Sequence, residues 1–120
     1  MKYTRLYADG DGESHFEDVA CELLPANVVA SSPPMDFSEA LEAEQFAFMR
    51  APTGWSSDWH PSSARNFFVV LSGEWEVTAS DGETRRFRFG STLLVEDTAG
   101  KGHSSRVITE SLSAVVQLPE

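Results

Sequence analysis

The sequence predicts an all-β domain, either a sandwich or a barrel. Short runs of strand-forming residues recur at regular spacing from Gln45 onward, and turns rich in glycine separate them. No segment shows the sustained period of a long amphipathic helix. A chain of 120 residues, 41% of them hydrophobic, is long enough for one packed core and too short for two ordinary domains. We therefore expect a single domain that spans residues 1–120.

The amino-terminal part, residues 1–44, is expected to supply strands and a strap. The turn-rich stretch ADGDGES is followed by HFEDVACELL, which we interpret as an edge strand. In the stretch after it, Pro33 and Pro34 would interrupt any strand ladder, and DFSEALEAE could form a short helical turn. We expect this later stretch to run as an irregular strap across the outside of the domain.

Residues 45–118 carry the strand candidates of the core. In order they are QFAFMRA, FFVVLS, EWEVTAS, TRRFRF, STLLVED, HSSRVITE and LSAVVQLP. The Asp-Gly pair between EWEVTAS and TRRFRF is a strong hairpin signal. In EWEVTAS, Trp75, Val77 and Ala79 alternate with polar residues, so one face of that strand should be buried. We expect these runs to build the core of the fold.

The run FFVVL would be apolar on both faces of a strand. If Phe68 and Val70 face the interior, Phe67, Val69 and Leu71 need cover from another layer. The amino-terminal strap could supply that cover, or a second subunit could. We expect a homodimer, and an internal layer is the alternative.

The charge of the chain argues against a nucleic-acid partner. The formal net charge is −10 at pH 7, and phosphate binding depends on clustered lysine and arginine. The one local group of arginines, Arg85, Arg86 and Arg88, lies among strand residues and is expected on a solvated face.

Targeting and redox signals are few. Cys21 is the only cysteine, so no internal disulfide can form, which fits a reducing compartment or a fold indifferent to redox state. We expect Cys21 to be a small buried apolar residue. The opening MKYTRLYADG lacks the apolar run of a signal peptide. The longest uncharged stretch, LLPANVVASSPPM, is broken by prolines and cannot span a bilayer. We expect a cytoplasmic protein with no membrane partner.

The first chemically informative segment runs from Gly54 to Gly73 and contains His60, Ser62 and Asn66. Their spacing resembles the first motif of the cupin superfamily, in which a glycine, two histidines, a glutamate and a closing glycine follow one another. Gly54, His60 and Gly73 match this motif in register. Ser62 takes the place of the second histidine, and Asn66 takes the place of the glutamate.

A second segment runs from Gly90 through STLLVED and the AGKG turn to His103. It is similar to the second cupin motif, which has a glycine, an apolar strand, a turn and a late histidine. Glu96 or Asp97 stands where the family usually has a proline. The resemblance covers about residues 45–118 and implies an antiparallel jelly-roll barrel.

The resemblance also implies a divalent metal, such as iron, manganese, nickel or zinc, held by three histidines and a carboxylate. This chain keeps His60 and His103, and Asn66 is the third metal ligand to consider. Asp58 or Glu96 could instead supply the missing carboxylate. The alternative is that the metal has been lost and that the polar cluster holds an organic ligand or a water network.

We expect His60 and His103 to face one ligand pocket, which also includes Ser62, Asn66 and Trp59. Trp55 and Trp59 are both expected to pack at the barrel mouth. His15, the remaining histidine, is expected at the surface. No nucleophile elbow, phosphate-binding glycine loop or zinc-protease helix is present in the sequence.

Two functions are compatible with these residues. One is a small enzyme of the isomerase, lyase or metal-dependent dioxygenase type, which the cupin resemblance implies, acting on a small organic molecule. In it the histidines would either hold a metal that acts as a Lewis acid or move a proton. The other is a binding or sensing domain that holds a small ligand without metal and without catalysis.

Overall fold

The computed structural model describes all residues, 1–120, and contains β-strands without any helix. It therefore has no helix that is long and apolar enough to cross a membrane. In chain order the ten strands are β1 (Lys2–Ala8), β2 (Ser14–Ala20), β3 (Leu24–Ala26), β4 (Met35–Phe37), β5 (Gln45–Ala51), β6 (Ser56–His60), β7 (Asn66–Ala79), β8 (Thr84–Phe87), β9 (Thr92–Val95) and β10 (His103–Gln117).

Eight of these strands form one sheet, in the order β2-β1-β9-β7-β10-β5, with β6 added on β10 and β8 on β7. All pairings are antiparallel except that of β1 with β9. The all-β class is confirmed, and the arrangement is that of a jelly-roll sandwich. The sheet is not a closed barrel, because its edge strands β2 and β5 do not pair with each other.

Two long strands replace four of the predicted short ones. FFVVLS and EWEVTAS are one strand, β7, and HSSRVITE and LSAVVQLP are one strand, β10. Gly73 therefore does not form the predicted turn. Its φ is +74°, and a Cβ there would lie 2.1 Å from the carbonyl oxygen of Glu110, so the two strands cross too closely for a side chain. The register between β7 and β10 shifts in this region, as at a β-bulge.

The core lies on the inner face of the curved sheet. Leu6 of β1 is fully buried, and the strand that carries it pairs with both β2 and β9. Strand β1 was not among the predicted strands, because KYTRLYA contains few apolar residues in alternation. The core cluster comprises Leu6, Phe16, Val70, Val77, Ala79, Phe87, Leu93 and Val95.

The amino-terminal strap does not cover the domain. Strands β3 and β4 pair as a small separate hairpin, and every residue from 22 to 48 is exposed. The helical turn considered for DFSEALEAE does not form, since its first residues belong to strand β4. Cys21 at the base of the strap is free and half-buried rather than fully buried.

The run FFVVL has a buried inner side, as predicted. Val70 is buried, and Phe68 packs against the core cluster. On the outer side, Phe67 stacks on Tyr3 with ring centroids 5.1 Å apart, while Leu71 remains exposed. Strand β1 thus covers part of the outer side, and the strap covers none of it.

Candidate functional site

A cavity of about 310 Å³ lies between the inner face of the sheet and strand β6. Its walls are largely aromatic and aliphatic, and its polar groups come from histidine, serine and asparagine side chains. It contains no lysine, arginine or carboxylate. The apolar lining includes Trp55, Phe68, Val70, Trp75, Phe87 and Leu93, and the polar lining includes His60, Ser62, Ser63, Asn66, His103 and Ser105.

His60 and His103 are neighbours in the structure. His60 ends strand β6, His103 begins strand β10, and the two residues lie directly opposite each other in the antiparallel pair. Their ring centroids are 4.9 Å apart. His103 is buried, with 7% of its surface exposed, whereas His60 is exposed at the mouth of the cavity. The strand pairing thus brings two distant parts of the sequence to one polar group.

Gly102 makes this close approach possible. Its φ is +74°, and a Cβ would lie 2.1 Å from both the carbonyl carbon and the carbonyl oxygen of His60. The carbonyl of Gly102 also accepts a 2.7 Å hydrogen bond from the buried Ser14 hydroxyl. A side chain at position 102 would push β6 away from β10, so glycine is needed there to keep the two imidazoles together.

Asp97 fixes the orientation of His103. The Nδ1 atom of His103 donates a 2.6 Å hydrogen bond to Oδ2 of Asp97, whose side chain is completely buried. The other carboxylate oxygen, Oδ1, is also buried and has no hydrogen-bond partner in the protein. The backbone N–H of Ser62 donates to the carbonyl of Asp97 at 3.0 Å, which ties the loop after β6 to the same residue.

In both imidazoles Nδ1 is engaged in a hydrogen bond and Nε2 has no hydrogen-bond partner in the protein. Nδ1 of His60 donates to the carbonyl of Pro61 at 3.0 Å, just as Nδ1 of His103 donates to Asp97. Because a carbonyl and a carboxylate can only accept, each Nδ1 must carry the proton. In the neutral form of each ring, Nε2 is then unprotonated and can accept a proton or bind an electrophile.

The donor set does not complete a metal centre. Hydrogen bonds at both Nδ1 atoms would suit a pair of metal-binding histidines. However, no group of three or more histidine, cysteine, aspartate or glutamate side chains could hold a metal ion. Asn66 lines the cavity, but its amide oxygen is a neutral and weak donor beside two imidazoles. The side chains therefore supply two strong ligands where the resemblance implies four.

Glu96, considered above as a replacement carboxylate, is engaged elsewhere. It forms ion pairs with Arg5 and with Arg65, the latter at 3.0 Å. Burial acts to raise the pKa of Glu96, but the hydrogen bonds from Arg5 and Arg65 outweigh it and hold the pKa below its usual value. The carboxylate is thus a charged structural partner of two guanidinium groups and not a metal ligand.

The other residues expected in the pocket are placed as follows. Ser62 and Asn66 line the cavity beside the histidines. Trp59 does not line it, since it precedes His60 on strand β6 and points to the opposite side of the strand, near Ser80 and Lys101. Trp55, the other tryptophan expected at the mouth, does line the cavity and packs edge-on against Trp75 with ring centroids 5.7 Å apart.

Gly102 and Asp97 have roles at the site that the sequence alone does not indicate. Asp97 could have been found as an acidic residue two positions after the apolar strand β9 and six positions before His103. The third histidine, His15, lies outside the cavity between Asp9 and Asp81, at 2.7 and 2.9 Å. Hydrogen bonds to Asp9 and then to Asp81 raise the pKa of His15.

No known family model and no curated protein matches the sequence. Several solved structures do resemble the fold. A conserved protein of unknown function from Streptococcus pyogenes, SPY1581, is 28% identical, with a TM-score of 0.49 over 62% of this chain and 64% of that one. This chain therefore spans less than two thirds of that protein.

Better structural agreement comes from two other proteins. A protein of unknown function from Rhizobium leguminosarum is 24% identical, with a TM-score of 0.54 over 62% of this chain and 69% of that one. A predicted oxalate decarboxylase from Thermotoga maritima is 18% identical, with a TM-score of 0.50 over 83% of this chain and 94% of that one.

A cupin-2 domain protein from Shewanella frigidimarina is 16% identical, with a TM-score of 0.49 over 62% of this chain and 70% of that one. The T. maritima match covers most of both chains, and at 18% identity it bears on the fold alone. The chain therefore has a cupin-like fold.

Proposed function

We propose that the chain binds a small, neutral organic molecule in the cavity and that His103, oriented by Asp97, transfers a proton on it. The observation that carries this proposal is the buried Asp97–His103 hydrogen bond at the polar end of an apolar cavity. A buried carboxylate that holds an imidazole in one tautomer is the arrangement of a general base.

The lining of the cavity defines the class of ligand. Its volume of about 310 Å³ lies at the lower end of the range for small-molecule sites. Trp55, Trp75 and Phe87 offer flat apolar surface to a ring system. No lysine or arginine is present to pair with a carboxylate or phosphate, so burial of an anionic ligand there would be unfavourable. A neutral one- or two-ring compound with one polar group fits best.

The chemistry we propose is proton transfer next to a carbonyl group. Nε2 of His103 would take a proton from the carbon beside the carbonyl, and the electrons of that C–H bond would form an enolate. The buried carboxylate of Asp97 would stabilise the imidazolium, which then returns the proton to the same or a neighbouring carbon. Among the reaction types considered from sequence, this is the isomerase type, and it needs no group beyond the side chains described.

The alternative is a non-catalytic binding domain. The absence of two of the four metal ligands that the cupin resemblance implies favours it, since the cavity could hold a ligand without performing chemistry on it. In that case the buried Asp97–His103 pair would orient a hydrogen bond to the ligand and would transfer no proton.

A panel of neutral bicyclic ketones, each with its matched carboxylate, tests the proposal. We expect ketones to raise the melting temperature and carboxylates to leave it unchanged. In D₂O, NMR should show faster deuterium uptake beside the ketone carbonyl with the wild type than in buffer. His103→Gln should abolish that acceleration, and the surface variant His15→Gln should retain it.

Binding without accelerated exchange would establish the non-catalytic alternative. A second variant, Ser113→Phe, fills the inner end of the cavity from the middle of strand β10. If ketones raise its melting temperature as much as they do that of the wild type, the ligand binds elsewhere and the proposal is wrong.

A further inference from the structure

We propose that the chain forms a two-fold homodimer in which the arm of each protomer lies across the outer face of its partner's sheet. The arm is the segment of residues 22–44, which contains the β3–β4 hairpin. The outer face is the side of strands β5, β10 and β7 that is turned away from the core.

The arm is apolar and uncovered. All of its residues are exposed, although it contains seven large hydrophobic side chains. Val28 is 62% exposed and Phe37 46% exposed, and a two-stranded hairpin of this size is at best marginally stable in water on its own. The seven side chains are Leu23, Leu24, Val28, Val29, Met35, Phe37 and Leu41.

The outer face is a second uncovered apolar surface. Phe46 and Phe48 of strand β5 are 60% and 67% exposed, and their rings pack edge-on, 5.1 Å apart. The same surface extends from edge strand β5 to the next strand, β10, because Phe46 lies opposite Val116 and Phe48 lies opposite Ala114. On β7, the neighbours of those β10 residues are Phe67 and Val69, which are half-buried, Phe67 against Tyr3 of β1, and the exposed Leu71 follows on the same side.

The arm cannot be the cover of its own sheet in this arrangement. It leaves the sheet after edge strand β2 and returns at the opposite edge strand, β5. Between these two points none of its residues becomes buried, and neither does Phe46 or Phe48. Each chain therefore offers one apolar arm and one apolar face. In a dimer with a two-fold axis, the arm of each protomer would lie on the face of the other, and both apolar surfaces of each chain would be covered.

The charges of the two surfaces are complementary. The arm contains five carboxylates and no lysine or arginine, whereas Arg50 lies on strand β5 beside Phe48 at the edge of the outer face. Arg50 is exposed and forms no ion pair, although every other arginine of the chain pairs with a carboxylate. The acidic residues of the arm are Glu22, Asp36, Glu39, Glu42 and Glu44.

The available surface is large enough for a stable dimer. A specific interface buries about 800 Å² per partner, and a covered aromatic side chain contributes about 150–250 Å². The seven large side chains of the arm and the phenyl groups of the outer face together reach this size. A small unidentified peptide would cover only one of the two surfaces, so a second copy of the chain is the better fit.

Sedimentation of the wild type at micromolar concentration should report twice the mass of the chain. Phe48→Asp on the face and Phe37→Asp on the arm should each weaken dimerisation at least about 30-fold, the effect of losing a hot-spot side chain. Phe89→Asp is the matched control, because Phe89 is 79% exposed but lies on neither surface, and it should sediment as a dimer. Far-UV circular dichroism should show that all three variants are folded.

Mixing the two weakened variants tests the arm-to-face contact itself. A heterodimer of Phe48→Asp and Phe37→Asp retains one contact in which an intact arm meets an intact face, and both substitutions fall in the other contact. The second substitution adds little to a contact that the first has already disrupted, so the mixture should form dimer at concentrations at which each variant alone is a monomer. A monomeric wild type, a Phe48→Asp variant that dimerises as the wild type does, or a mixture that stays monomeric would each overturn the proposal.

Discussion

Nδ1 of His103 lies 2.6 Å from Oδ2 of Asp97, and the aspartate side chain has no contact with solvent. A buried carboxylate is costly to keep charged unless a partner compensates for it. Here the partner is an imidazole that itself faces a cavity. The arrangement is therefore most stable when the imidazole holds its proton at Nδ1, which leaves Nε2 free for a ligand.

Asp97→Asn should reduce proton transfer far more than ligand binding. The amide retains the size of the carboxylate but removes the negative charge that stabilises a protonated His103. We expect deuterium uptake by a bound ketone to slow by about 10² or more, a typical contribution of general base catalysis, while the ketone still raises the melting temperature. NMR of ketone exchange in D₂O measures the rate.

The control for this prediction is Asp58→Asn. Asp58 is an exposed carboxylate two residues before His60 and does not line the cavity. The Asp58→Asn variant should exchange the ketone protons as fast as the wild type does. Equal losses in both variants would mean that the net charge of the protein, and not the buried pair, controls the rate.

Gly102→Ala should be strongly destabilising. Alanine at a φ of +74° costs about 1–3 kcal/mol, and the added Cβ would also collide with the backbone of His60. We expect a loss of about 3 kcal/mol or more in the free energy of unfolding measured in urea. Gly90→Ala is the matched comparison, because Gly90 has a similar φ of +85° but open space where its Cβ would stand. It should lose only about 1–2 kcal/mol. Equal losses would show that β6 can move away from β10 without cost.

The strand pattern of residues 45–118 could be predicted because its apolar residues recur with the period of a half-buried sheet. The merging of four strands into β7 and β10 could not, since Gly73 has the signature of a turn and its close contact with Glu110 is visible only in three dimensions. Similarly, the resemblance to the two cupin motifs pointed to one site for His60 and His103, whereas the role of Asp97 depends on the path of the chain between two strands and could not be predicted.

The exposure of the strap, the segment of residues 22–44 that forms the arm, also could not be predicted. Its apolar residues suggest a layer that covers the sheet, and nothing local in the sequence distinguishes cover of the chain's own sheet from cover of another copy. Trp55 and Trp59 illustrate the same limit at the site, because strand alternation alone does not say which of two nearby tryptophans faces the cavity.

Glu96→Ala should destabilise the fold by about 1–2 kcal/mol, because it leaves Arg5 and Arg65 without their shared carboxylate. The lowered pKa of Glu96 means that its contribution is present above the ordinary glutamate value of 4.5 and is lost as the pH falls through the folded-state pKa. Urea unfolding at neutral and at acid pH checks both points. The exposed Glu110→Ala should change little, and a difference between the two variants that persists at the most acid pH would contradict the ion-pair explanation.

His15 should make stability depend on pH in the opposite direction. Hydrogen bonds to Asp9 and Asp81 raise its pKa above the ordinary 6.5, so its contribution is complete below that value and is lost as the pH rises through the folded-state pKa. The hydrogen bond from His15 in turn lowers the pKa of Asp9 from 3.8, so the contribution of Asp9 is lost as the pH falls through that lowered value. The wild type should therefore exceed His15→Gln in unfolding free energy mainly between these limits. The unfolding free energies of the wild type and of His15→Gln should converge at alkaline pH. A difference that stays constant from pH 5 to pH 9 would mean that the packing of the His15 ring, and not its charge, stabilises the contact with Asp9 and Asp81.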